Sequence, residues 1–182
     1  PNTLAYALVY VALAAQLRGD AELTLALCDR NRVLSTQHHF RLWLGWSTLL
    51  RAWALAALGQ LDEGLALMQV ALAQWRRSGF LAGLPHDLGM LAEIHLWRGE
   101  ADAALAAARE ALELAEKTNE RSYEVELWRL KGQALRALGQ EAEAREDFAR
   151  ALEVALRQGA FAFGRRAWEA WRPEARGSWA HV

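Results

Sequence analysis

Apolar residues recur at helical spacing along most of the chain, and short polar or glycine-containing segments interrupt them. The stretch 42–58 is apolar around most of its circumference, as expected of a helix buried between neighbouring helices. Residues that break helices lie at 78–79, 83–85, 118–119 and 158–159. The pattern predicts helices over residues 2–18, 21–36, 40–58, 61–78, 84–98, 101–117, 121–138, 141–158 and 161–172.

Four glycines recur at a fixed interval of 40 residues, namely Gly19, Gly59, Gly99 and Gly139. Each follows an apolar run, so each is predicted to end a helix in the left-handed conformation that glycine adopts easily. The acidic or amide residue after each glycine is predicted to cap the next helix. Small residues at the same period let paired helices approach closely. They are Thr24, Gly64, Ala104 and Ala144 after the glycines, and Ala12, Ala52, Ala92 and Gly132 before them.

These offsets resemble the tetratricopeptide repeat (TPR) consensus. The resemblance implies an all-α, right-handed superhelix of antiparallel helix pairs, with four 40-residue repeats and one C-terminal helix. A unit of 40 residues exceeds the usual length of about 34, so the helices should be longer by about a turn. A generic helical bundle is the alternative, and the shared period argues against it. We expect one solenoid over 1–172, with repeats at about 1–38, 39–79, 80–119 and 120–159, an extra helix at 161–172 and a tail at 173–182.

Residues 120–132, with the sequence ERSYEVELWRLKG, resemble a stretch common in the C-terminal TPR regions of large bacterial signalling proteins. Parts of 84–105 and 151–160 resemble the adjoining repeats of the same regions. Those proteins join a nucleotide cyclase-like or DNA-binding output domain to a signal-transduction ATPase and a helical-repeat tail. The resemblance implies a non-catalytic regulatory or docking arm. Because the chain begins with Pro1, we expect it to be part of a larger protein.

Composition narrows the classes of partner. The 182-residue chain has a formal net charge of -1, whereas proteins that bind nucleic acid usually carry a clear basic excess. The single cysteine, Cys28, cannot form an internal disulfide, which favours a cytoplasmic location. The most apolar stretch, 4–17, is shorter than the roughly 20 residues of a membrane-spanning helix and lacks signal-peptide features. We therefore expect a protein or peptide partner, without nucleic acid or membrane.

No residue pattern indicates catalysis, a cofactor or a metal site. The five histidines include no pair at the spacing that places two metal ligands on one helix face. His95 is predicted to be a hydrogen-bonded interior residue. Cys28 occupies the repeat position of Met68 and Phe148, so it is predicted to be a core residue. We expect no enzyme activity.

The first helices of TPR-like repeats line a concave face on which ligands bind. The repeat register predicts a groove there that is aromatic and apolar in its N-terminal half and charged in its C-terminal half. Because tryptophan and arginine are enriched among binding hot spots, an apolar peptide is predicted to contact Tyr6, Trp46 and Trp53. An acidic group of that ligand is predicted to reach Arg129 and Arg136. The predicted groove residues are Tyr6, Trp46, Leu49, Trp53, His86, Glu93, Trp97, Arg129, Gln133 and Arg136.

Other interpretations of the same residues stay open at this point. The tryptophans can serve only to pack the helices, and Arg129 and Arg136 can pair with Glu126 and nearby acids on the surface. A small-molecule sensor domain of a helical-repeat transcription activator would show a closed pocket between Tyr6, Trp46 and Trp53. A structural or self-association module would show a dry, symmetric contact through an exposed helix face. Helix 161–172 either caps the stack or begins a further repeat.

Overall fold

The computed structural model describes residues 1–79 and 81–172, and within these ranges the chain forms helices and no strand. Their bounds agree with the predicted bounds to within one residue, except at the start of α7. The predicted tail at 173–182 lies outside the described residues. The helices are α1 (Asn2–Leu17), α2 (Ala21–Gln37), α3 (Arg41–Ala57), α4 (Leu61–Arg77), α5 (Leu84–Trp97), α6 (Ala101–Thr118), α7 (Glu124–Ala137), α8 (Glu141–Gln158) and α9 (Phe161–Trp171).

The chain divides into two compact units, an N-terminal unit at Pro1–Leu81 and a C-terminal unit at Ala82–Val182. In the N-terminal unit, each helix from α1 to α4 packs against the next, and α1 also packs against α3. In the C-terminal unit, each helix from α5 to α9 packs against the next, and α7 also packs against α5 and α9. Each unit thus contains two successive helix pairs, whereas a single solenoid over 1–172 stays a prediction.

The four repeat glycines end their helices as predicted. Gly19, Gly59, Gly99 and Gly139 have φ values of 78°, 91°, 76° and 76°. The amide of Asp20 donates to the carbonyl of Ala15 at 2.9 Å, and that of Gly19 donates to Gln16 at 2.8 Å. The same pair of hydrogen bonds follows the other three glycines. This arrangement satisfies carbonyl groups at the helix end and needs a residue that tolerates positive φ.

The predicted capping is correct for one residue and wrong for three. The carboxylate of Asp20 accepts the amide of Leu23 at 3.1 Å, which caps α2. The equivalent glutamine and glutamate side chains make no cap, because their extra methylene group suits them poorly to this position. These three residues are Gln60, Glu100 and Gln140.

Helix α7 begins at Glu124, three residues after the predicted start at 121. Tyr123 forms part of a turn and is buried, with its ring edge-on to His86 at 4.6 Å. The carboxylate of Glu120 accepts the amide of Gly83 at 3.1 Å, which ties this turn to the start of α5. Helix α5 begins 40 residues earlier, at Leu84. The repeat register therefore contained the correct start, which the apolar pattern obscured.

Small residues allow the close helix crossings that their spacing predicts. A methyl group at Gly64 would lie 2.7 Å from both the carbonyl oxygen of Ala52 and the Cβ of Ala56. A methyl group at Gly132 would lie 3.0 Å from the ring of Phe148. The helix backbone is therefore in close contact with the partner helix at these points, with the backbone of α3 at Gly64 and with the Phe148 ring of α8 at Gly132.

Candidate functional site

Four aromatic side chains of α1 and α3 form one cluster in the N-terminal unit, here called the aromatic cluster, and they are Tyr6, Tyr10, Trp43 and Trp46. The Tyr6 ring centroid lies 4.4 Å from that of Tyr10 and 5.5 Å from that of Trp43. The Tyr10 centroid lies 5.6 Å from that of Trp46. Tyr6 and Tyr10 are 47% and 41% exposed, so the cluster presents aromatic surface to solvent.

The other predicted groove residues of this unit lie in its core. Leu49 is fully buried and Trp53 is 3% exposed. Trp46 is half-buried, and its indole N–H has no hydrogen-bond partner in the described part of the chain. Because Trp53 is buried, it does not share an accessible surface with Tyr6 and Trp46. The structure therefore brings Tyr6 and Trp46 into one cluster and buries Leu49 and Trp53.

The C-terminal unit contains a group of two carboxylates and two guanidinium groups, here called the ion cluster, with the members Glu93, Glu126, Arg129 and Arg166. The first three are buried and Arg166 is half-buried. Arg129 Nη2 lies 2.8 Å from Glu126 Oε2 and 3.4 Å from Glu93 Oε1. Arg166 Nη2 lies 3.0 Å from Glu126 Oε2 and 3.5 Å from Glu93 Oε1. Three helices contribute these residues, since Glu93 lies on α5, Glu126 and Arg129 on α7, and Arg166 on α9.

The carboxylates of the ion cluster hold Arg129 in its charged form. Burial alone lowers the pKa of Arg129, but the adjacent carboxylates of Glu126 and Glu93 raise it by more. Burial raises the pKa of the Tyr123 hydroxyl, and the negative charges of Glu126 and Glu93 raise it further. Arg129 therefore stays a cation and the Tyr123 hydroxyl stays neutral. Each buried charge depends on its partners, since an unpaired buried charge is strongly destabilising.

Beside the ion cluster, the structure gathers four predicted groove residues around one cavity of about 300 Å³. Arg129 Nη1 donates to Gln133 Oε1 at 2.6 Å on its wall, and Trp97 is 39% exposed at its edge. The cavity is lined by Glu93, Leu96, Trp97, Arg129 and Gln133. Its wall combines an apolar ring, an amide and balanced charges.

The remaining predicted residues, His86 and Arg136, contact groups of this chain. Arg136 Nε donates to Glu141 Oε2 at 3.1 Å, and Nη1 donates to the carbonyl of Ala170 at 2.6 Å. Its guanidinium also lies 4.7 Å from the centroid of Phe148. The arginines of the predicted acidic contact are therefore both held within the C-terminal unit, and Arg129 is buried there instead of lying on the surface.

Arg166 is not among the predicted groove residues, although the repeat register contains a signal for it. Tyr6, Trp46, His86, Glu126 and Arg166 follow one another at intervals of 40 residues. When the same repeat position holds a glutamate in one first helix and an arginine in the next, the two residues are candidates for an ion pair. Inspection of the register beyond the fourth repeat would have placed Arg166 next to Glu126.

The structure confirms the interior positions predicted for His95 and Cys28. His95 Nδ1 lies 2.6 Å from Glu100 Oε2. Cys28 is buried, and burial raises the pKa of its thiol to about 12, so it is not a thiolate nucleophile at neutral pH. Within residues 1–79 and 81–172, no group of three histidine, cysteine or carboxylate side chains is arranged to hold a metal ion. No helix in the same ranges has both the length and the apolar character needed to cross a membrane.

Comparison with known proteins identifies the kind of repeat. Residues 125–157, which cover all but the first residue of α7 and all but the last residue of α8, match the tetratricopeptide repeat family. Two crystal structures of a putative kinesin light chain of Podosopora anserina with nearly identical TPR-like repeats, one of them a point variant, superpose with a TM-score of 0.63. Each is 18% identical and covers 94% of this chain and 89% of its own. The fold is TPR-like. At this identity the likeness concerns the fold alone.

A bacterial relative matches nearly all of the chain. An uncharacterized protein of Rhizobium meliloti (strain 1021) is 30% identical over 167 residues, which are 91% of this chain and 16% of that protein. The chain thus spans about one sixth of the length of this relative. TPR repeats generally mediate contacts between proteins and are typically non-catalytic scaffolds.

Proposed function

We propose that this chain is a non-catalytic interaction module of a larger bacterial signalling protein in the cytoplasm. A peptide segment or neighbouring domain binds on the first helices of its repeats, the face predicted to be concave. The observation that carries this proposal is the solvent-facing aromatic cluster on α1 and α3. The match of 167 residues to 16% of a longer bacterial protein supports a place within a larger polypeptide.

The aromatic cluster has the properties of a binding hot spot. Rigid rings supply a large contact area at a low cost in side-chain entropy, and the tyrosine hydroxyl groups supply polar contacts. Trp43 Nε1 donates to Asn2 Oδ1 at 2.7 Å, which fixes the indole before any partner arrives. A preorganised surface loses less entropy on binding. An apolar peptide side chain packed against the exposed faces of Tyr6 and Tyr10 would remove both rings from water.

The cavity beside the ion cluster supports a second contact on the first helices of the C-terminal unit. The half-exposed Trp97 ring and the Gln133 amide suit a peptide group with an apolar part and a polar end. Arg129 and Arg166 already balance Glu93 and Glu126 there. The C-terminal contact therefore favours a polar, uncharged group over the acidic group that sequence alone predicts.

Selection of phage-displayed random peptides on the immobilised chain tests this proposal. The selected peptides are expected to be rich in apolar residues. Their affinity is expected to fall at least about tenfold in a Tyr6→Ala/Tyr10→Ala variant, as for the loss of a hot spot. Both side chains are exposed, so this variant should keep its helical circular dichroism.

A matched control removes exposed apolar side chains from the second helices. Val33 on α2 and Val70 on α4 are 71% and 57% exposed. The Val33→Ala/Val70→Ala variant should bind the selected peptides as the unchanged chain does. Equal affinity of the peptides for the Tyr6→Ala/Tyr10→Ala variant would contradict the proposal, as would a selection that enriches no peptide.

A further inference from the structure

A second concave feature of the N-terminal unit is lined by no residue of the aromatic cluster, although its Trp75 ring lies 6.4 Å from that of Trp46. It is a groove of about 840 Å³ between α2 and α4, with α3 as its floor, here called the α2–α4 groove. Its volume falls within the range of roughly 300–1,000 Å³ that is usual for small-molecule sites. None of the predicted groove residues lines it. Its walls are formed by Arg32, Thr36, Arg41, Leu42, Leu44, Gly45, Thr48, Ala71, Gln74, Trp75 and Ser78.

The cavity at the equivalent place in the C-terminal unit is much smaller, with a volume of about 240 Å³. Residues 80 positions apart occupy the same place in the two units. Trp128 lines the smaller cavity where Thr48 lines the larger one. The exchange of an indole for a threonine side chain leaves space over α3. The α2–α4 groove is therefore a specific feature of the N-terminal unit and not a property of every repeat.

The floor of the α2–α4 groove is apolar and firmly held. A methyl group at Gly45 would lie 2.7 Å from the Trp75 ring, so this ring packs directly on the backbone of α3. Thr48 Oγ1 donates to the carbonyl of Leu44 at 2.7 Å, and Ser78 Oγ donates to that of Trp75 at 2.6 Å. Because these hydroxyl groups already donate to the backbone, they leave the floor suited to an apolar or aromatic body.

The charge of the α2–α4 groove is positive. Arg32 and Arg41 line it, and no carboxylate does. The Arg41 side chain forms no ion pair or hydrogen bond with another described residue, and α3 begins there without a side-chain cap. Asp29 lies nearer to Arg51, at 2.8 Å, than to Arg32, at 3.5 Å. The N-terminus of α3, which no side chain caps, carries the positive end of the helix dipole and adds to the attraction for an anion.

The smaller cavity has the opposite character. Three glutamates line it, together with two arginines, and they are Glu113, Glu116 and Glu124. The two cavities thus differ in size and in the sign of their charge, although they occupy the same place in the repeat. An apolar floor beside two arginines, with no carboxylate in the lining, fits a ligand with an apolar body and an anionic group.

We propose that the α2–α4 groove binds a small organic anion with an aromatic or branched aliphatic body. The anionic group contacts Arg32 and Arg41 at the start of α3, and the body packs over Trp75 and Gly45. This site shares no lining residue with the aromatic cluster, so the chain would bind a small molecule and a protein through different side chains.

Equilibrium binding of two fluorescent probes to the full 182-residue chain tests the proposal. The probes are 8-anilino-1-naphthalenesulfonate and N-phenyl-1-naphthylamine, which share an aromatic body but differ by one sulfonate. The sulfonate probe should bind at least about tenfold more tightly, as expected for a charge-assisted contact. Equal affinity of the two probes would overturn the preference for an anion.

Charge-matched variants locate the anionic contact. Arg32→Gln/Arg41→Gln should weaken binding of the sulfonate probe about tenfold and leave the neutral probe unchanged. Arg18→Gln/Arg30→Gln removes the same charge from exposed positions of the same unit and should change neither affinity. An equal loss in both double variants would show general electrostatic attraction and would overturn the proposed site.

Two further variants test the groove itself. Thr48→Trp copies the residue of the smaller cavity and should abolish binding of both probes. Gln74→Glu places a carboxylate at an exposed position of the groove wall without changing the core, and should weaken only the sulfonate probe. Loss of sulfonate-probe binding in Tyr6→Ala/Tyr10→Ala, with normal binding in Gln74→Glu, would place the probe on the aromatic cluster and overturn the proposal.

Discussion

The N-terminal and C-terminal units place different chemistry at the same repeat positions. Leu49 and Arg129 lie 80 residues apart on α3 and α7, and both are buried. Trp46 and Glu126 are related in the same way, and they are half-buried and fully buried. One backbone arrangement therefore accommodates apolar side chains in one unit and an ion cluster in the other.

The two solutions make different demands on their surroundings. Apolar burial is non-directional, so Leu49 needs only close neighbours. Arg129 needs carboxylates at hydrogen-bonding distance, and these carboxylates need a second cation from another helix. Arg166 of α9 supplies that cation. The C-terminal unit thus depends on its last helix electrostatically as well as through packing.

The largest expected effect is that of Arg129→Met. This change leaves the Glu126 carboxylate buried without its nearest cation, so it should lower the free energy of unfolding by about 3–5 kcal/mol. Urea unfolding followed by circular dichroism measures the change. As a control, Arg145→Met breaks an exposed pair with Glu141 and should cost less than about 1 kcal/mol.

The Glu126→Leu/Arg129→Met double variant sharpens this prediction. It removes both charges and leaves Glu93 paired with Arg166. It should therefore recover more than half of the free energy of unfolding that Arg129→Met loses. A double variant as unstable as Arg129→Met would show that packing around Arg129, and not charge compensation, holds the three helices together.

Leu49→Ala is the matching change in the N-terminal unit. It removes a fully buried side chain and should lower the free energy of unfolding by about 2–5 kcal/mol through lost burial and the cavity left behind. No charge is uncovered, so a second substitution at Trp46, the counterpart of Glu126, should not restore stability. Recovery on adding Trp46→Leu would contradict the proposed difference between the units.

Arg166→Gln should have a smaller effect, about 1–2 kcal/mol, because its side chain is partly exposed and Arg129 still neutralises part of the cluster. Thermal unfolding of the full chain measures the loss. The control Arg165→Gln alters the adjacent, more exposed residue, whose contact with Glu169 is long at 3.9 Å. Equal stability of the two variants would show that Arg166 of α9 does not stabilise the ion cluster.

The smallest expected effect on stability concerns a buried repeat position that holds Ser47 in the N-terminal unit and Asp87 in the C-terminal unit. Ser47 is buried and its hydroxyl bonds to the carbonyl of Trp43 at 2.7 Å, whereas the equivalent Asp87 is buried with no hydrogen-bond partner for its carboxylate oxygens. His86 lies nearby, but at 3.7 Å it is too far for a hydrogen bond. Burial raises the pKa of Asp87 above 3.8, so its charged form costs stability.

Asp87→Asn should therefore stabilise the chain at neutral pH. Because the pKa of Asp87 is raised in the folded state, the free energy of unfolding falls as the pH rises above 3.8. Below that value the carboxyl group is protonated in both states and the loss disappears. The gain from Asp87→Asn should shrink as the pH is lowered toward 3.8, in urea titrations at several pH values. The exposed Asp102→Asn is the control and should show no such gain. A gain independent of pH would mean that the charge of Asp87 is not its cause.

Local chemistry explains why the helices were predictable and the candidate site was not. Helix ends follow from glycine conformation, and the close crossings at Gly64 and Gly132 follow from residue size. Prediction of the groove residues also required the burial of each side chain, which the periodicity of the sequence does not give. Trp46 and Trp53 lie on one helix, yet Trp46 belongs to the aromatic cluster and Trp53 lies in the core.

The sequence by itself determined the helix pairs, their 40-residue period and the glycine-terminated ends, because these depend on residues close together in the chain. Tertiary structure alone decided that Arg129 is an internal cation, that Arg166 joins it, and that α2 and α4 leave a basic groove over α3. Those outcomes depend on distances between side chains far apart in sequence. Only the packed helices set these distances.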